Sequence, residues 1–466
     1  MGAAEELSNP ALLVDLYELT MAAGYFERHV DCRATFELFV RHLPPERSFL
    51  VAAGVESSLD YLESLHFTEE HVRFLRAHPA FRTVSDAFFD YLRRFRFTGT
   101  VAAVDEGAVI FEEEPILQVS APIAEAQVVE TYLLSVVNFE TLVATKAARV
   151  VHAAGGAGVL EFGTRRAQGP EAGLRAARAA YIGGCAGTSN VMAGQLYGIP
   201  IAGTAAHSWT QAFRSERESF EALLDTFPDS AILLIDTYDP LAGAETAASL
   251  GRKIAGVRLD SGELLEKSRQ VRQILDRHGL GKTQIVASGD LNEFRIAELV
   301  RQGAPIDVWG VGTELATSRD LPALGVVYKL VEIERDGRSE PKTKFSEQKV
   351  YSPGRKQVFR FSESTGMGAL SKYHHDLLAR FDEAYPEAEP MLRTVLRDGH
   401  RLDRAQPTAE IRARALSNLR RLPDKYLALD GAPRYPVLKS AVLDQMLEAA
   451  REKYLGASAG SASGKR

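Results

Sequence analysis

Cysteine is scarce in this chain. Cys32 and Cys185 are the only two among 466 residues, and they lie far apart. That excludes a disulfide framework and a cysteine-based zinc set, and it suits a reducing compartment such as the cytoplasm. Long apolar runs are missing as well. No stretch of 18 apolar residues occurs, and the N-terminus "MGAAEELSNPALLVDLYELTM" carries acids where a leader would carry basic residues. No membrane partner is expected. Nor is there a surplus of positive charge: 55 Lys and Arg stand against 62 Asp and Glu, a formal net charge of -7. This argues against a nucleic-acid partner. An intact nucleotide phosphate loop is also absent. "GLGKT" at 279–283 resembles the end of one, but the earlier glycine would fall at Asp276, and the segment precedes an apolar run instead of following one.

What the chain does have is repetition. From about residue 160, short apolar runs alternate with helix-like segments at the spacing of βα units. The runs are "GVLEFG", "YGIPIAG", "AILLIDTYD", "IAGVRLDSG", "QIVASGD" and "IDVWGVGTE". Between the last pairs lies "GELLEKSRQVRQILDRHG", with Leu264, Leu265, Val271, Ile274 and Leu275 near helical spacing and Gly279 as a stop. Each run ends in polar residues or glycine, as though all faced one mouth. The pattern predicts an α/β fold: an irregular, TIM-like α/β barrel over residues 126–334. The flanks differ in character. Residues 1–125 mix an amphipathic helix ("ALLVDLYELTMAAGYFERH") with strand-like runs, and 335–365 reads as strands around "SPGRK". Residues 1–125 and 335–440 are therefore expected to form a second, α+β domain. The small-residue tail 456–466 is expected to be disordered.

The strand ends carry the chemistry. "YGIPIAG" reads as a buried strand, which puts His207 just past its end. A lone histidine is more often structural than catalytic. Arg165 and Arg166 follow "EFGT"; adjacent guanidiniums suit an anion, or simply a solvated surface pair. Arg258 and Asp260 are two apart and so share one side of a strand end, either as a substrate-binding pair or as an internal salt bridge. Gly289 and Gly312 end successive strands, where a missing Cβ lets backbone N–H groups approach an anion; plain connecting turns use glycine too. Arginines, acids, glycine turns and a histidine at one mouth suit a phosphorylated sugar.

The segments "DLYELTMAAGYF", "FELFVR", "EFGTRRAQGP", "GTSNVMAGQLYGIPIAGTAAHS", "GVRLDSGELL" and "GVGTELATS" occur in order from residue 15 to about 330, with "KTKFSEQKVYSPGRKQVFR" beyond. In these the chain resembles the nicotinate phosphoribosyltransferases, which make nicotinate mononucleotide for NAD biosynthesis. The resemblance implies transfer of phosphoribosyl from phosphoribosyl pyrophosphate to nicotinate, with ATP as co-substrate, Mg²⁺ as cofactor and a homodimer whose sites are shared. It implies that His207 is the histidine phosphorylated by ATP and that Asp260 binds the ribose hydroxyls. Arg258 and Thr204 would contact nicotinate, and Tyr17 would stack on the ring from the other subunit. Arg165, Gly289, Gly312 and Thr313 match anion-binding positions, and Asp236 and Asp290 are candidates for Mg²⁺. Nicotinamide-using relatives carry an aspartate two residues after the glycine of a "GTD" segment. Here "GTSN" places Ser189 there, which removes a charge that would repel a carboxylate. The competing readings are a nicotinamide enzyme, a quinolinate enzyme, which would lack the histidine segment, and a non-catalytic metabolite-binding homologue.

Overall fold

The computed structural model describes residues 9–346, 350–364, 366 and 370–456. Past Gly456, the tail expected to be disordered lies outside the described residues. A six-stranded parallel sheet forms, five of its strands from the expected runs and Gly187–Thr188 from outside them: Gly187–Thr188, Gly158–Glu161, Val308–Val311, Gln284–Ser288, Gly256–Leu259 and Ile232–Leu234, in that spatial order. The helix Leu264–Arg277 follows its strand as the spacing predicts. Leu264, Val271, Ile274 and Leu275 are buried on one face. Each such side chain taken from water contributes about 1.5–3 kcal/mol.

The winding is barrel-like but not closed. Val308–Val311 pairs back onto Gly158–Glu161, so the first and last strands of the series are neighbours. On the other side, Thr188 makes a single bridge to Ile201, and among the described residues no ladder joins that point to Ile232–Leu234. The architecture is a mixed α/β fold with a parallel sheet; among the described residues the irregular, TIM-like barrel expected from the sequence is open at one seam.

The run at that seam departs from expectation. "YGIPIAG" does not form a strand. The helix Val191–Tyr197 occupies its start and is capped by Gly198 at φ +66°. Pro200 then has no N–H to donate, and Ile201 is 57% exposed, so only one bridge remains. His207 accordingly opens a short helix, His207–Gln211, instead of following a strand.

Both chain ends meet in a seven-stranded antiparallel sheet. Arg33–Val40 pairs with Pro115–Pro122 on one side and Val326–Arg335 on the other, while Thr100–Val104 pairs with Leu392–Arg397. Strand Arg33–Val40 is buried on both faces, in keeping with its largely apolar run "ATFELFV". The long helix Glu130–Ala153 ties to the parallel sheet through buried charges. Lys146 Nζ lies 2.6 Å from Glu293 and 2.8 Å from Asp320, and Arg149 Nε lies 3.1 Å from Glu293. Among the described residues no helix is long and apolar enough to cross a membrane.

Candidate functional site

Strand Gly256–Leu259 alternates its side chains, so Val257 and Leu259 enter the core while Arg258 projects into the mouth of the sheet. There each of the three guanidinium nitrogens has a partner. Nε donates to Ser288 Oγ at 2.8 Å, Nη1 to Thr204 Oγ1 at 2.6 Å and Nη2 to Asp260 Oδ1 at 2.6 Å. Ser288 Oγ also donates to Asp260 Oδ1, at 2.6 Å. Of the sequence alternatives for Arg258 and Asp260, the internal ion pair is present, and it sits inside the mouth.

Burial alone would raise the Asp260 carboxyl, but hydrogen bonds from Ser288 and Arg258, with the charges of Arg258 and His207, hold it below its ordinary value. Oδ1 takes both donors. Oδ2 faces His207 Nε2 at 3.7 Å, and the other ring nitrogen lies 3.2 Å from Thr237 Oγ1. Asp236 completes the floor: its Oδ2 accepts from the Asp260 backbone N–H at 2.7 Å and from Ser261 Oγ at 3.2 Å, while its buried Oδ1 has no hydrogen-bond partner.

A cleft opens beside this network, lined by Phe162, Arg165, Arg166, Arg258, Asp260, Ser288, Gly289, Asp290, Gly310, Gly312 and Thr313 among others. Arg165 and Arg166 lie exposed on the turn Thr164–Arg166, so the cleft is cationic on one wall. Gly289 sits at φ +94°, and a Cβ there would lie 2.0 Å from the Asp260 carbonyl oxygen. Only glycine lets the two strand-end loops approach so closely. Asp290 follows at φ 44°, exposed on the rim.

The cleft therefore unites Arg165, Arg258, Asp260, Gly289, Asp290, Gly312 and Thr313; hydrogen bonds add Thr204 and Asp236, and His207 faces Asp260 at 3.7 Å. Ser189 is exposed at the neighbouring strand end, outside the cleft lining, with its N–H on the Glu161 carbonyl at 3.0 Å. Tyr17 is not brought to this cleft within the chain. It is 44% exposed on helix Leu16–Glu27. Three residues that sequence reasoning did not single out belong to the site: Ser288, Thr237 and Phe162. The signal was available, since each lies in a quoted strand end ("VASGD", "IDTYD", "GVLEFG"), but a serine, threonine or phenylalanine there has too many ordinary uses to stand out.

Comparison with known proteins points to one family. The model of the nicotinate phosphoribosyltransferase N-terminal domain matches residues 12–138, and that of the nicotinate phosphoribosyltransferase family matches 158–350. A nicotinate phosphoribosyltransferase of Mycobacterium tuberculosis is 43% identical over 438 residues, covering 92% of this chain and 91% of the relative. One of Bacillus subtilis is 43% identical over 386 residues, covering 80% and 76%. The crystal structure of human nicotinic acid phosphoribosyltransferase superimposes with a TM-score of 0.81 at 30% identity, covering 93% of this chain and 99% of that one. From the matched segments, the shared fold and these relatives together, the chain belongs to the nicotinate phosphoribosyltransferase family.

Proposed function

We infer that phosphoribosyl passes from phosphoribosyl pyrophosphate to nicotinate in the cleft beside Arg258, giving nicotinate mononucleotide and pyrophosphate for NAD biosynthesis. The observation that carries this reading is the Arg258–Asp260–Ser288 network set against a wall bearing Arg165 and Arg166. Breaking the C1–O bond of the donor leaves an oxocarbenium-like ribosyl centre, which a nearby carboxylate stabilises. Asp260, held ionised by its donors, supplies that charge. Arg165 and Arg166 face the departing pyrophosphate. The pyridine nitrogen attacks C1 with its own lone pair, so no protein base is needed, and the protein's work is positioning and electrostatics. Phe162 offers an apolar aromatic wall for a flat ring. Product formation from nicotinate and phosphoribosyl pyrophosphate, with and without ATP, tests the whole scheme.

ATP dependence belongs to the same proposal. His207 is half-exposed beside the cleft, oriented by Thr237 and facing Asp260, and a ring nitrogen attacks the γ-phosphorus as ADP leaves. For Mg²⁺, the hard oxygens fit: Asp236 has an unpartnered oxygen and Asp290 stands on the rim, and the ion commonly takes one or two carboxylates plus waters and substrate phosphates. Bound by them, Mg²⁺ would offset charge on the pyrophosphate.

The shared-site homodimer is supported by two exposed apolar patches. Leu13, Leu16, Tyr17 and Met21 form one, and Val191, Met192, Leu196 and Ile201 the other. The second follows Ser189 in the chain. Tyr17 then acts in the partner's site. Mixing inactive Tyr17→Ala with inactive Arg258→Ala protein is expected to restore activity, since each mixed dimer holds one intact site. No recovery after demonstrated subunit exchange would count against sharing. We place the enzyme in the cytoplasm, in keeping with two buried free cysteines, and divide it into a parallel-sheet unit and a unit made from both ends, counting Val326–Arg335 with the antiparallel sheet it joins.

Nicotinate over nicotinamide rests on Ser189. An aspartate there sets a negative charge against the substrate carboxylate, whereas nicotinamide offers that charge N–H donors. Ser189→Asp is expected to lower kcat/KM for nicotinate at least about tenfold, roughly 1.4 kcal/mol, and to raise the nicotinamide-to-nicotinate ratio. Paired steady-state kinetics on both substrates check this; an unchanged ratio in folded protein removes Ser189 from the pyridine subsite.

A further inference from the structure

Glu161 ends strand Gly158–Glu161 with 0% exposure, and no Lys, Arg or His is paired with it among the described residues. A buried carboxyl without a countercharge is expensive to keep. Burial pushes it up from its ordinary value, and only two neutral donors oppose that. Those donors come from different loops. Thr188 Oγ1 donates to Oε2 at 2.6 Å, and the backbone N–H of Gly163 donates to Oε1. A carboxylate is the side chain that accepts at both ends.

Each donor leads to a substrate-binding segment. Gly163 begins the turn that carries Arg165 and Arg166. A Cβ at Gly163 would lie 2.9 Å from Glu161 Oε1 and 2.7 Å from the Gly312 carbonyl, so a third strand-end loop closes on the same point. Thr188 precedes Ser189, and its Oγ1 also accepts from the Asn190 N–H at 3.0 Å. Asn190 Nδ2 crosses back to Thr164 Oγ1 at 3.2 Å. The loops are thereby stitched together twice, once through a buried carboxyl and once through a side-chain amide.

We propose that Glu161 is a positioning residue that fixes the Arg165–Arg166 turn against the Ser189 segment, so that one buried carboxyl sets the spacing between the phosphate-binding and pyridine-binding sides of the site. The inference rests on the site assignment made above for Arg165 and Ser189. It touches no substrate; it acts through the two loops.

The test is steady-state kinetics with each substrate varied, for Glu161→Ala, Glu161→Gln and Thr188→Val, beside Arg165→Ala and Ser189→Asp as references. Glu161→Ala is expected to raise KM for nicotinate and for phosphoribosyl pyrophosphate each at least about tenfold. Thr188→Val, which cuts only the Ser189 side, is expected to raise the nicotinate KM about fivefold while the other KM stays within about twofold. Glu161→Gln is expected to return both to within about threefold, because its carbonyl still accepts from Gly163 and its amide can donate to Thr188. A fall in kcat with both KM values unchanged in folded Glu161→Ala would overturn the proposal, as would an unchanged nicotinate KM in Thr188→Val. If Glu161→Ala does not fold, Thr188→Val alone decides. Unmoved KM values in the two reference variants would overturn the site assignment and the inference with it. Moved reference values with unmoved Glu161 and Thr188 variants would overturn the inference alone.

Discussion

Arg258→Ala is expected to weaken nicotinate binding by about 2–5 kcal/mol, read as a rise in KM and a fall in kcat/KM, because it removes a charged partner from a partly desolvated site. The geometry adds a second loss. Arg258 is what Thr204, Ser288 and Asp260 share, so its removal leaves the Thr204 hydroxyl without its donor and Asp260 with Ser288 alone. Lysine is expected to rescue poorly, since one ammonium cannot reach all three directions that the planar guanidinium serves. A pH signature accompanies this. The Asp260 carboxyl is held low in part by Arg258, so the ionised form persists to lower pH in the native enzyme, and activity is lost only as pH falls through that depressed value. In Arg258→Ala the value rises, and the acid limb of kcat/KM is expected to move to higher pH. Full activity with an unmoved acid limb would exclude Arg258 from the site.

His207→Ala is expected to abolish ATP hydrolysis and the acid-labile phosphoprotein while leaving a slow, ATP-independent transfer. The imidazole is half-exposed, its Nδ1 lies against Thr237, and Nε2 faces Asp260 at 3.7 Å without a bond. It is available to a phosphate and is not a member of the Arg258 network. Its loss therefore removes the coupling to ATP and spares the groups that bind the pyridine and stabilise the ribosyl centre. Incubation with γ-labelled ATP, followed by acid and alkaline treatment of the protein, reads the first effect, and product formation without ATP reads the second. Continued labelling of the alanine variant would show that another group takes the phosphate. Transfer reduced to zero in a folded variant would place His207 in the transfer step itself.

Much of this was legible in the sequence because it depended on local pattern. Strand Gly256–Leu259 and helix Leu264–Arg277 follow from alternation and from helical spacing, and the pairing of Arg258 with Asp260 follows from their separation by two. What escaped was set by distant partners. "YGIPIAG" has the composition of a buried strand, but Gly198, Pro200 and the exposure of Ile201 leave it only one bridge. The seam it leaves cannot be read from any one run, since closure depends on a ladder between segments some 30 residues apart. Ser288 became visible only once strand Gln284–Ser288 lay beside Gly256–Leu259, with Val286 opposite Arg258. Glu161 escaped for a related reason. An acid at a strand end reads as exposed, and its burial is imposed by the loops of Gly163 and Thr188 closing over it.

The open seam has a consequence for local stability. Beyond the Ala202 N–H, which donates to the Thr188 carbonyl, the segment leading to His207 is fastened to the sheet by side chains: the Arg258 guanidinium holds Thr204 Oγ1 and the Ala205 carbonyl, and Thr237 and Asp260 meet the imidazole. The free energy needed to shift that segment is set by a few such bonds, on the order of 1–3 kcal/mol each, and not by the cooperative rupture of a β-ladder. The histidine can therefore change position by trading partners at the mouth, with the parallel sheet left intact.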